Sequence, residues 1–136
     1  MNNRLLVVDN EPFDREIMRR IFMSLSIVGF ADEPDKLREK LLDFSPHVIF
    51  YELRTPDEDS LKMFFSECKK HTPEALTILS ITENSLELEK YARVSGVFYY
   101  LIRPFNLKEL WDAVECAFAC AAKKRYGLAQ SGLTGD

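Results

Sequence analysis

Apolar residues along the chain follow two alternating rhythms, and the alternation predicts the elements in order. The runs Arg4–Val8, Ile27–Ala31, His47–Glu52, Leu76–Ile81 and Val97–Ile102 are short and largely unbroken, so each reads as a buried strand. Between them the apolar positions recur at helical spacing. Ile17, Ile21, Phe22 and Leu25 mark a helix over Asp14–Leu25, with Pro12 suited to its entrance. Asp32-Glu33-Pro34 opens a second helix with an inner stripe of Leu37, Leu41 and Phe44, and Leu61, Phe64, Phe65 and Cys68 line a third from about Leu61 to Lys70. Asn84 with Glu87 has the spacing of a capping box for a helix to Val94, which Gly96 stops. Asn106 and Glu109 cap the last helix, which runs to about Arg125 and buries Leu107, Leu110, Val114, Ala117, Phe118 and Ala121.

Five strands alternating with five helices imply right-handed crossovers and an α/β fold, its parallel sheet covered on both faces. The domain is expected over residues 1–125, with 126–136, which contains Gly127, Gly132 and Gly135, as a C-terminal linker or tail. At 136 residues the chain is long enough for a core without staples. A net charge of −4 gives no general attraction to nucleic acid or an anionic membrane. No apolar run approaches the roughly 20 residues of a membrane helix, and the N-terminus lacks a signal-peptide core, so a cytoplasmic place is expected. Cys68, Cys116 and Cys120 match no disulfide framework; Cys116 and Cys120, four apart, find no further ligands nearby and read as small helix residues.

Parallel strands gather their carboxyl-end residues on one rim, where ligands of open α/β sheets bind. Strand one delivers Asp9, Asn10 and Glu11; strand three Glu52 and Arg54; strand four Thr82 and Glu83; strand five Arg103. Carboxylates, a hydroxyl and a cation suit a hard cation together with an anionic group. A glycine-rich phosphate cradle is not expected after strand one, because Asp9 and Glu11 repel anions, which also speaks against a flavin-type cofactor.

Four stretches carry a family resemblance. Leu5-Leu6-Val7-Val8-Asp9-Asn10-Glu11-Pro12 resembles the first strand and acidic pair of response-regulator receiver domains. Pro46-His47-Val48-Ile49-Phe50-Tyr51-Glu52-Leu53-Arg54-Thr55-Pro56 is similar to their phosphoacceptor strand and the proline after it. Ile78-Leu79-Ser80-Ile81-Thr82 is similar to the strand ending in the switch hydroxyl, and Gly96 to Phe105 to the segment with the switch aromatic and a lysine before proline. The likeness covers about residues 4–123 and implies a flavodoxin-like, CheY-like doubly wound sheet in the order 2-1-3-4-5. It also implies a non-enzymatic role in two-component signal transduction.

Several positions depart from the family pattern. Glu52 stands at the phosphoacceptor aspartate, Asn10 at the second acidic residue, Arg103 at the lysine and Ser60 at a loop glycine, while Asp9, Thr82 and Tyr100 keep the family types. Asp9, Asn10 and Glu52 therefore form a candidate metal set from which weak or absent Mg²⁺ binding is expected, since neutral Asn10 removes a charge. Glutamate is longer than aspartate by one methylene, about 1.5 Å, and in-line transfer is sensitive to errors near 1 Å. Glu52 is thus expected to be a poor acceptor. Two arrangements stay open: Glu52 pairs with Arg103 or Arg54, imitating the lysine contact, or both cations point to solvent.

The expectation is a pseudo-receiver without a cofactor, acting as a phosphorylation-independent protein-interaction module. The alternative is a phosphorylatable receiver using Glu52 with Mg²⁺. By the resemblance, its partner or output domain would meet the face formed by Glu87, Lys90, Tyr91, Tyr99, Tyr100, Lys108 and Trp111, and a homodimer through the same face is open. For Trp111, packing at the edge of the last helix is the competing reading.

Overall fold

A computed structural model describes residues 3–32, 34–55 and 57–133, with side chains outside 34, 35 and 125–133. Glu33 and Pro56, read above as part of a helix entrance and of the acceptor loop, lie outside the described residues, as do the last three of the tail. Five strands, β1 (Arg4–Val8), β2 (Ile27–Ala31), β3 (Val48–Leu53), β4 (Leu76–Ile81) and β5 (Tyr99–Ile102), alternate with five helices. These are α1 (Pro12–Phe22), α2 (Pro34–Phe44), α3 (Glu58–His71), α4 (Leu86–Val94) and α5 (Leu107–Leu133). The sheet is parallel throughout, in the order β2-β1-β3-β4-β5. The α/β class and the flavodoxin-like order expected above are both present.

Side chains alternate across a strand, so each strand feeds two cores. Leu5 and Val7 of β1, Val48 and Phe50 of β3, Ile78 of β4 and Leu101 of β5 pack against α1 and α5. Leu6, Val8 and Ile49 pack against α2 and α3, and Leu53, Leu79 and Ile81 against α3 and α4. Each fully buried side chain of this kind contributes roughly 1.5–3 kcal/mol relative to exposure.

Local chemistry sets the helix ends. Glu11 caps α1 by accepting from Phe13 N, with Pro12 in the first turn where its missing N–H costs nothing. Asp57 caps α3 and also accepts from the Ser60 hydroxyl at 2.7 Å. Asn106 accepts from Glu109 N at 2.7 Å, the cap expected for α5. Gly96 has φ +88°, the left-handed turn that ends the α4 region and that glycine adopts without strain. The Arg103–Pro104 peptide is cis.

Four expectations need correction. The cap of α4 is Ser85, which accepts from Leu88 N at 3.1 Å, not Asn84. Ile17 is exposed and Met18 takes the buried position on α1, because Met18 and Phe22, four residues apart, share the face that packs on the sheet. Leu107 is exposed at the start of α5, while Ala113 joins the buried face. The helix itself continues past Arg125 to Leu133, so part of the segment assigned to a tail is helical. Among the described residues no helix is long and apolar enough to cross a membrane.

Candidate functional site

Strand periodicity assembles the site. The row Val48, Phe50 faces α1 and α5, and its next members are Glu52 and Arg54; Leu5 and Val7 are followed by Asp9, Ile78 by Ser80, and Leu101 by Arg103. Four rows that are apolar inside the core thus turn polar together at the carboxyl edge. There they meet the start of α1, which supplies Asp14.

Glu52 and Arg103 form the inner pair. The Glu52 side chain is 0% exposed and that of Arg103 34%. Arg103 Nε and Nη2 donate to the same oxygen, Glu52 Oε1, at 2.9 and 2.6 Å. Of the two arrangements left open, the ion pair is therefore the one formed, and the partner of Glu52 is Arg103. The guanidinium closes on one oxygen, not as a fork across two. Among the described residues Glu52 Oε2 is buried without a hydrogen-bonding partner, and so is the hydroxyl of Ser80, its register partner on β4. Burial raises the Glu52 carboxyl above its usual range; Arg103 and, more weakly, nearby Ser80 oppose that rise without cancelling it. Arg103 also lies over the Phe105 ring, 4.8 Å from its centroid, which fixes the far side of the guanidinium.

Arg54 does not pair with Glu52. It makes a two-toothed grip on Asp9, Nε to Oδ1 at 3.0 Å and Nη2 to Oδ2 at 2.9 Å, and the same Nη2 donates to Asp14 Oδ2 at 2.7 Å. Asp9 Oδ1 accepts in addition from Glu11 N at 3.1 Å. These bonds, that to Asp9 foremost, raise the Arg54 pKa and hold its charge in place. The two ion pairs touch: Arg103 Nη2 stands 3.9 Å from Asp14 Oδ2. Asp14 is the member that sequence reasoning missed. Its position in the first turn of the helix after Asp9 was the available signal.

The residues as arranged do not fit a resident divalent cation. Such an ion needs carboxylate oxygens with lone pairs to spare, but both Asp9 oxygens are taken by Arg54 and Glu52 Oε1 by Arg103. Asn10 is exposed on the rim, and among the described residues no three His, Cys, Asp or Glu side chains stand together as metal ligands. A cavity of about 240 Å³ opens beside Asp9, Asn10, Tyr51, Glu52 and Arg54. That is below the roughly 300–1,000 Å³ of ordinary small-molecule pockets.

The remaining candidates stand apart from these pairs. Thr82 is exposed at the end of β4 and does not cap α4, a role held by Ser85. Tyr100 donates its hydroxyl to Asn84 Oδ1 at 2.7 Å, with the Arg93 guanidinium over its ring at 5.9 Å. On the expected docking face Glu87, Lys90, Tyr99 and Lys108 are exposed. Tyr91 is packed in the α3–α4 seam near Phe65, and Trp111 stacks on Phe22 of α1 at 5.4 Å, so neither is presented as part of that face.

The chain is similar to Regulatory protein AtoC of Escherichia coli (strain K12), 28% identical over 127 residues, covering 90% of this chain and 27% of the relative. It is also similar to Transcriptional regulatory protein CitB of Klebsiella pneumoniae, 26% identical over 113 residues, covering 81% of this chain and 48% of the relative. The chain therefore spans less than half the length of either. A response regulator receiver domain protein (CheY-like) from Methanospirillum hungatei JF-1 superposes with a TM-score of 0.80 at 18% identity, covering 91% of this chain and 99% of that one. No family model matches the sequence. The chain thus has the fold of a CheY-like receiver domain and is similar in sequence to these regulatory proteins.

Proposed function

We propose that the chain is a pseudo-receiver: a non-enzymatic protein-interaction module in signal transduction whose surface does not depend on phosphorylation. The supporting observation is the double donation from Arg103 to Glu52 Oε1. A cation at the family's lysine position already holds a carboxylate at the acceptor position, the contact that would otherwise await a phosphoryl group. Transfer to Glu52 would need its oxygen free and aligned within about 1 Å. Here one oxygen is held by the guanidinium and the other is sealed in the core. The docking surface in this reading is the exposed part of the β5 face, Glu87, Lys90, Tyr99 and Lys108 with Tyr100 at its centre. It meets a partner protein, an output domain of the same chain or a second copy.

Incubation with acetyl phosphate and Mg²⁺, followed by intact-mass measurement, tests the reading. The expected result is an unchanged mass. A stoichiometric gain of one phosphoryl group, absent in Glu52→Gln, would establish the phosphorylatable alternative.

A further inference from the structure

The geometry points to Arg54 as a tethered cation, its guanidinium taking the place at the acidic rim that a divalent ion would otherwise take. The inference rests on the pseudo-receiver reading for its site and deepens it: the rim is electrostatically complete without metal.

Three observations carry this. A single nitrogen, Arg54 Nη2, lies 2.9 Å from Asp9 Oδ2 and 2.7 Å from Asp14 Oδ2, so one positive centre bridges carboxylates from two elements. Asp9 is nearly sealed from solvent, with 2% of its side chain exposed, and a carboxylate buried beside that of Asp14 needs a positive neighbour to offset its lost hydration. The adjoining Glu52 adds a third carboxylate whose Oε2 is buried and unpartnered, so Arg103 alone leaves the rim strongly negative. A free cation would supply the missing charge only when present in solution, whereas Arg54 is fixed there by β3, two residues beyond Glu52 in the same row. Mg²⁺ is commonly held by one or two carboxylates with waters completing its shell. Asp9 and Asp14 form such a donor set once the guanidinium is gone.

The test compares the full chain with Arg54→Met and Arg54→Gln. Mn²⁺ binding is followed by loss of the free-ion paramagnetic resonance signal, and thermal unfolding is measured with and without millimolar MgCl₂. The expected result is no saturable Mn²⁺ binding by the wild type and no shift of its midpoint. Both variants gain Mn²⁺ affinity by at least ~10-fold, and their lowered midpoints recover in Mg²⁺. Adding Asp9→Asn removes both gains. Wild-type Mn²⁺ affinity equal to that of the variants overturns the inference. So do folded variants that bind no ion, or variants that stay unfolded even in Mg²⁺, because the guanidinium would then do something a cation cannot. None of these readouts involves phosphoryl transfer. Labelling by acetyl phosphate would remove the pseudo-receiver reading while leaving these outcomes legible.

Discussion

Arg103 spends two N–H groups on one oxygen of Glu52, at 2.9 and 2.6 Å, and leaves the other oxygen of that carboxylate buried and bare. The bare oxygen makes the pair asymmetric. Glu52 has no route to solvent and depends on its partner, whereas Arg103 is about one-third exposed and has water and Asp14 as alternatives. The two ends of the bond should therefore respond unequally to mutation.

Arg103→Ala leaves an unpaired carboxylate in the core. Breaking a fully buried pair from one side costs roughly 3–5 kcal/mol, and the exposure of Arg103 lowers the expectation to about 1–3 kcal/mol. Glu52→Gln keeps an oxygen that accepts from the guanidinium and removes the buried charge, so it should cost less than about 1 kcal/mol. Urea unfolding midpoints of the two variants decide the order. A larger loss for Glu52→Gln than for Arg103→Ala would mean that the charge itself, not its burial, governs the pair.

The raised Glu52 pKa has a definite sign in stability. Its ordinary value is 4.5, and burial holds the folded value above that against the pull of Arg103. Between the two values the folded chain binds a proton that the unfolded chain has released. This contribution is complete below about 4.5 and is lost as pH rises through the folded pKa. Glu16, Asp57 and Glu67, all held low by hydrogen bonds, act in the opposite sense in acid. The measurable quantity is therefore the stability of wild type minus that of Glu52→Gln, in which those groups cancel. It should rise as pH falls from 7 towards 4. A difference that falls over that range would place the folded pKa below the unfolded one.

Gly29 on β2 is kept small by Phe44 of α2. A Cβ built at Gly29 would meet three ring carbons of Phe44 at 3.1–3.2 Å, closer than ordinary contact. Gly29→Ala should therefore destabilise by about 1–2 kcal/mol through overpacking. In a Phe44→Leu background the same substitution should cost less than about 0.5 kcal/mol. Thermal or urea unfolding of the four chains closes the cycle, and equal costs in both backgrounds would rule out the contact.

The fold was legible because its strand runs and helix stripes differ in period, and because proline and glycine stand at the breaks. The site was legible only in part. Strand parity brings Asp9, Glu52, Arg54 and Arg103 to one side of the rim, but parity does not say which guanidinium takes which carboxylate. Arginine side chains are long enough to reach several neighbours, so the assignment of Arg54 to Asp9 and Asp14 depends on where α1 begins. That start follows from Glu11 acting as the cap with Pro12 in the first turn; the sequence suggested Pro12 at the entrance but not Glu11 as the cap. Asn84 illustrates the same limit. Its spacing to Glu87 fits a cap, yet Ser85 offers an equally good oxygen one residue later, and the Tyr100 hydroxyl then claims Asn84.

Two adjacent residues should therefore separate helix stability from the state of the switch aromatic. Ser85→Ala removes the oxygen that satisfies Leu88 N and should cost about 1 kcal/mol, the usual worth of an N-cap. It leaves the Tyr100–Asn84 bond in place, so the Tyr100 ring resonances should not move. Asn84→Ala removes the acceptor of the 2.7 Å bond from Tyr100 but no helix cap. That bond is solvent-exposed, so the unfolding midpoint should change by less than about 0.5 kcal/mol, while the ring resonances shift and broaden as Tyr100 is released. Urea unfolding together with ring NMR of the two variants gives both readings. The reverse pattern, a stability loss in Asn84→Ala with an unmoved Tyr100, would return the cap of α4 to Asn84 and leave Tyr100 held by packing alone.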